Sequence, residues 1–134
     1  MWVLDTNVVS EMRKSRPHGG VRAWLSRQSP DSLFIAAATI GEIQVGIERT
    51  RVRSVPKAAE IETWLNTFAH EDRVLPATAL IFRLWAKLMH GRTSDLSMDA
   101  MIAATAQAHG LTVATRNTRD FETLGIATVN PFEG

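Results

Sequence analysis

Trp2-Val3-Leu4-Asp5-Thr6-Asn7-Val8-Val9 decides how the rest of the chain reads. A three-residue apolar run stops on an acid, and two residues suited to helix capping follow. The pattern then turns helical, with Val9 and Met12 on one side, until Pro17-His18-Gly19-Gly20 breaks it. A short strand handing over to a helix at an acidic residue is how an α/β unit begins.

The same alternation continues outward. Val21, Trp24 and Leu25 stand at i, i+3 and i+4, on a helix that ends near Ser29-Pro30. Leu33-Phe34-Ile35-Ala36 reads as a buried strand. Ile40, Ile43 and Ile47 mark a helix to about Thr50 with Gly46 inside it, and a basic stretch from Arg49 to Arg53 leads to Pro56. Ile61, Trp64, Leu65 and Phe68 give another helix, and Arg73-Val74-Leu75 a short strand closed by Pro76. Leu80, Ile81, Leu84, Trp85 and Leu88 form a further apolar helical face, and Thr93 to Ser97 a polar loop. Met98 to His109 make an alanine-rich helix with Gly110 placed to cap it. Leu111 to Thr115 alternate as a strand, Asn117 to Leu124 suit a short helix, and Ile126 to Val129 an edge strand. This order predicts a single α/β domain over 1–134 with a mostly parallel sheet and more helix than strand.

Composition narrows the function classes. The chain has 134 residues, 45% of them hydrophobic and 22% charged, and no cysteine. Disulfides, iron–sulfur clusters and thiolate zinc sites are therefore excluded. No apolar run approaches the roughly 18–20 residues of a membrane span. Met1 to Asn7 carries an acid and no basic stretch, so a secretion signal is not expected and a cytoplasmic location is. The four histidines, 18, 70, 90 and 109, have no i, i+4 pair, which argues against a His-based zinc site. Net charge is only +1, but residues 1–57 carry nine basic and five acidic side chains. Twelve of the 15 cations are arginine, a hint of a polyanionic partner.

Four acids fall where ligands bind in such a sheet, at the carboxyl ends of the strands. Asp5 ends the first strand, Glu42 lies one turn into the helix after the second, Asp99 is in the first turn of its helix, and Asp120 follows the strand at 111–115. Singly, each has a plainer reading as a helix cap, a first-turn acid or turn chemistry. Together they conflict, because two carboxylates about 4 Å apart repel by roughly 4 kcal/mol at an effective dielectric near 20. No lysine or histidine lies near them in sequence to neutralise the group. An all-carboxylate donor set is what Mg²⁺ or Mn²⁺ prefers, so the acids read as a pocket for one of these ions.

These residues resemble the VapC/FitB-like PIN domains, the ribonuclease toxins of type II toxin–antitoxin systems. The resemblance spans nearly the whole chain. It is carried by Leu4-Asp5-Thr6-Asn7-Val8-Val9-Ser10-Glu11, by Thr39-Ile40-Gly41-Glu42-Ile43 with Gly46, by Asp99 to Ala106, and by Thr115-Arg116-Asn117-Thr118-Arg119-Asp120-Phe121. It implies a three-layer α/β/α fold and Mg²⁺-dependent cleavage of RNA, with Mn²⁺ able to substitute. It also implies Asp5 and Asp99 as principal metal ligands, Glu42 as the second acid and Asp120 as the fourth. Thr115 and Asn117 match polar positions lining the pocket, and Thr6 and Asn7 match supports for Asp5. Asp95 lies near Asp99 but does not match the motif.

Phosphate contacts are expected from Arg49, Arg51 and Arg53 and from Arg116 and Arg119 beside the acids, against a plainer reading as solvated surface. Trp2, Trp24, Trp64 and Trp85 read as core or interface. Partners follow from the resemblance: a small VapB/FitA-like antitoxin, a homodimer, and a higher assembly with the antitoxin on operator DNA. Two rival readings remain. One is another Mg²⁺-dependent phosphohydrolase, disfavoured because position 7 is Asn where a haloacid-dehalogenase-like enzyme needs Asp, and because lysines 14, 57 and 87 do not suit a receiver domain. The other is a non-catalytic partner-binding module whose acids are only caps.

Overall fold

A computed structural model describes residues 1–69 and 72–133, so His70 lies outside the described residues. The chain runs β1 (Trp2–Leu4), α1 (Thr6–Arg13), α2 (Gly19–Ser26), β2 (Leu33–Ala36), α3 (Ala37–Arg53) and α4 (Val55–Phe68). It continues β3 (Val74–Leu75), α5 (Ala79–Met89), α6 (Ser97–His109), β4 (Thr112–Ala114), α7 (Thr118–Thr123) and β5 (Thr128–Val129). All pairings among the described strands are parallel, in the order β3-β2-β1-β4-β5. The expected mostly parallel sheet is thus wholly parallel.

Neighbouring residues of each strand point to opposite faces, and this divides the core. Leu4, Leu33, Ile35 and Ala114 pack with Val8 and Val9 of α1, Val21 and Trp24 of α2, Ile43 and Ile47 of α3, and Leu65 of α4. Val3, Ala36 and Val113 pack on the other side with Ala100, Ile102, Ala103 and Ala106 of α6 and Phe121 of α7. The result is three layers, α/β/α. Strands covered on both faces read as unbroken apolar runs, as β1 and β2 do. Each fully buried side chain such as Ile47 or Phe121 contributes about 1.5–3 kcal/mol of transfer free energy.

Three details differ from expectation. α1 starts at Thr6 because Asp5 caps it directly. The basic stretch after Thr50 is not a connector: α3 continues to Arg53, and Ser54 both ends α3 and caps α4. Pro56 lies in the first turn of α4, where its missing N–H costs nothing, so it starts a helix and does not stop one. Ser94–Leu96, expected as loop, forms a 3₁₀ turn that runs straight into α6. Gly110 caps α6 as expected, with φ 65° and ψ 36°, a left-handed conformation that favours glycine.

The chain leaves β1 for β2 and β3 on one side, then returns to place β4 on the other. β1 and β4 therefore flank the switch in strand order, where α/β sheets bind ligands. Their register pairs Leu4 with Ala114, and the Asp5 N–H donates to the Ala114 carbonyl at 2.9 Å. Asp5 and Thr115, 110 positions apart, emerge side by side.

Candidate active site

Asp5 is the best-anchored acid and is 3% exposed. Its Oδ1 accepts the Thr6 N–H at 2.7 Å, which closes the open end of α1. Its Oδ2 accepts the Thr115 hydroxyl at 2.7 Å and the Asn7 amide at 3.2 Å. Thr115 in turn accepts the Asn117 N–H at 2.9 Å, and Asn7 Oδ1 accepts the Arg116 N–H at 3.2 Å. Two helix starts are thereby tied to one carboxylate. The cap reading and the site reading of Asp5 are both true, because a cap places the carboxylate at the strand end.

Glu42 projects from the second turn of α3, half-buried, and its Oε1 accepts the Thr6 hydroxyl at 2.7 Å. Thr6 therefore supports Asp5 through its backbone and Glu42 through its side chain. Asp99, half-buried in the first turn of α6, and Asp120, in the first turn of α7, come from the opposite helical layer.

Electrostatics register the convergence. Burial pushes the Asp99 carboxyl up to about 6, with further upward pushes from the charges of Asp5, Asp120, Glu42 and Asp95. Burial raises Asp5 against the pull of Thr115, Thr6 and Asn7, and the Asp120 charge adds to it. Glu42 is raised by burial and by Asp5, opposed by the Thr6 hydroxyl. Desolvation and like charge both disfavour ionisation. None of the salt bridges among the described residues involves these four acids.

Among the described residues no three Asp, Glu or His side chains stand in ready ligating geometry. The four carboxylates share a field but do not form a closed cage. Their donor chemistry, oxygen-only and without a salt-bridged partner among the described residues, fits a hard divalent ion, with Asp5, Glu42, Asp99 and Asp120 as the side chains that could hold it.

The arginines divide. Arg51 donates to Glu48 at 3.0 Å and to Glu62 of α4 at 3.1 Å, a surface network that occupies its guanidinium and raises its pKa. Arg116 lies over the Phe132 ring, 3.8 Å from its centroid. Arg49, Arg53 and Arg119 enter no salt bridge among the described residues, and Arg49 lines a recess together with Glu42. Arg13, which reading the sequence did not single out, also lines a recess shared with Glu42. Its signal was available: it stands seven residues, two helical turns, after Thr6. Trp2, Trp24 and Trp85 are packing residues, with Trp2 edge-on to Trp24 at 5.2 Å between centroids and Trp85 Nε1 donating to the Ser97 carbonyl at 3.0 Å.

Comparison with known proteins agrees with this layout. The PIN domain model matches residues 2–126. The chain is 37% identical to VapC ribonuclease Y4jK of Sinorhizobium fredii, the alignment covering 99% of both chains. It is 32% identical to toxin FitB of Neisseria gonorrhoeae over 98% of this chain and 99% of that one. The crystal structure of FitAcB from Neisseria gonorrhoeae superposes with a TM-score of 0.84 at 30% identity, covering both chains completely. With four acids brought to one sheet rim on a wholly parallel three-layer fold, this chain belongs to the PIN-domain family, among its VapC- and FitB-like members.

Proposed function

We infer that the chain is a Mg²⁺-dependent endoribonuclease and the toxin of a type II toxin–antitoxin pair. The observation that carries this reading is the convergence of Asp5, Glu42, Asp99 and Asp120 at the β1/β4 switch point, with none of the four in a salt bridge among the described residues. The name of the S. fredii relative supports the substrate class, and the toxin name of FitB supports the biological role.

A divalent cation bound there supplies Lewis acidity toward water and toward the phosphoryl oxygens. The protein's own work is positioning. Three donors fix Asp5 in one orientation, and the Thr6 hydroxyl fixes Glu42 through Oε1. That leaves Glu42 Oε2 to orient the attacking water or take its proton, a task suited to a carboxylate whose pKa is raised by burial. Asp99 and Asp120 would complete the donor set from the first turns of α6 and α7. A VapB/FitA-like antitoxin restrains the enzyme, and the toxin is a homodimer that assembles with it on operator DNA.

Purified protein should cut RNA in Mg²⁺ or Mn²⁺ and stop in EDTA. Asp5→Asn and Asp99→Asn should lose cleavage by at least about a hundredfold and relieve growth inhibition in a bacterial host. Retained cleavage by Asp5→Asn protein would refute the assignment.

A further inference from the structure

On α3, Glu42, Gly46 and Arg49 occupy successive turns of one face, spanning about 10 Å along the axis. Two furrows meet on this stripe. One, of about 250 Å³, opens toward α1 and α4 past Arg13, Thr50 and Trp64. The other, of about 280 Å³, runs toward the start of α6 past Val45, Arg49 and Met98. Glu42 and Gly46 line both, so the furrows join at this pair.

Gly46 marks what passes between them. It is exposed in the middle of α3, its φ is not positive, and a Cβ built on it would meet nothing within 4 Å. The fold does not require glycine here, and alanine would favour the helix by about 1 kcal/mol. The missing side chain instead keeps the ridge between the furrows low, so a chain lying in one can continue into the other past Glu42.

Charge selects the kind of chain. Arg13 stands in one furrow and Arg49 in the other, each sharing its furrow with Glu42, and neither enters a salt bridge among the described residues. Carboxylates alone would repel a polyanion, and cations on both sides offset that repulsion. A basic peptide would meet the opposite arrangement, drawn to the acids and repelled at both flanks. Trp64, half-buried against Phe68 with 4.5 Å between ring centroids, gives the first furrow an apolar wall suited to a base.

We propose that single-stranded RNA crosses α3 over Gly46, with Arg13 and Arg49 holding phosphates on opposite sides of the bond to be cut. This rests on the ribonuclease reading and adds the path of the substrate and Arg13 as a binding residue.

Binding is read by fluorescence anisotropy of a fluorescein-labelled single-stranded RNA on Asp5→Asn protein, and cleavage kinetics on the same variants with Asp5 restored. Arg13→Ala and Arg49→Ala should each weaken binding about tenfold and flatten the salt dependence by roughly 0.7 in log–log slope. Gly46→Leu should raise KM with the melting temperature maintained. Arg83→Ala, on exposed α5 and outside both furrows, should change neither, and a duplex of the same sequence should bind less tightly. Wild-type binding and cleavage by the Arg13, Arg49 and Gly46 variants would overturn the path and leave the ribonuclease reading intact. An equal loss in Arg83→Ala would show diffuse attraction and overturn it as well. If the unmodified chain neither binds nor cuts RNA in Mg²⁺, the ribonuclease reading itself fails and the path with it.

Discussion

One oxygen of the Asp5 carboxylate closes the start of α1 and the other is held by Thr115 and Asn7, while the Thr6 hydroxyl reaches Glu42. Removing that hydroxyl frees Glu42 without opening the core. Thr6→Val should therefore cost only about 0.5–1.5 kcal/mol in stability while slowing RNA cleavage about 10- to 100-fold. Thr6→Ser should restore it; melting curves and steady-state cleavage check both. Asp99 supplies a pH test. Its carboxyl titrates at about 6 in the folded protein against an ordinary value of 3.8, so between those values the folded state holds protons that the unfolded state has released. The Asp99 contribution to the stability of the metal-free protein then falls as pH rises through this window, which is the sign for a raised acid. Asp5 and Glu42 are shifted in the same direction. Glu11, Glu48 and Glu62 are shifted the other way, so the test is a difference: in EDTA the melting temperature should drop relative to that of Asp99→Asn protein as pH rises from about 4 to about 7. Mg²⁺ should remove this relative drop; an Asp99→Asn profile superimposable on the unmodified one would contradict the account.

At the scale of elements, Ser54 is shared. Its N–H donates to the Thr50 carbonyl at 2.7 Å, ending α3, and its hydroxyl accepts the Lys57 N–H at 3.3 Å, starting α4. Ser54→Ala should destabilise the protein by about 1 kcal/mol, and Ser54→Gly by only a few tenths, as urea unfolding would measure. This joint also marks where reading the sequence stopped. Local signals sufficed for β1, β2, α6 and the Gly110 cap, because a buried strand, an apolar helical face and a left-handed turn each leave a short-range pattern. Pro56 after a run of arginines looks like an ending, yet the same residue suits a first helical turn, and only the shared serine distinguishes the two. The Asp5 position at a strand end was legible for the same local reason. The Thr6–Glu42 bond and the capture of Arg51 by Glu62 were not, since each joins side chains from different helices whose packing no local pattern encodes.

Across the whole molecule, strand order does the assembling. Because β1 and β4 adjoin, with helices on both faces, acids at positions 5, 42, 99 and 120 reach one rim from both helical layers. Burial disfavours the charged forms of Asp5, Glu42 and Asp99, and the proposed reason for bringing these acids together is a bound cation. That is the central claim, and it is tested most directly by anomalous X-ray scattering from crystals soaked in Mn²⁺. The account predicts one cluster of anomalous density enclosed by Asp5, Glu42, Asp99 and Asp120, lost in Asp5→Asn crystals. Density at other surface acids with none at this rim would contradict it.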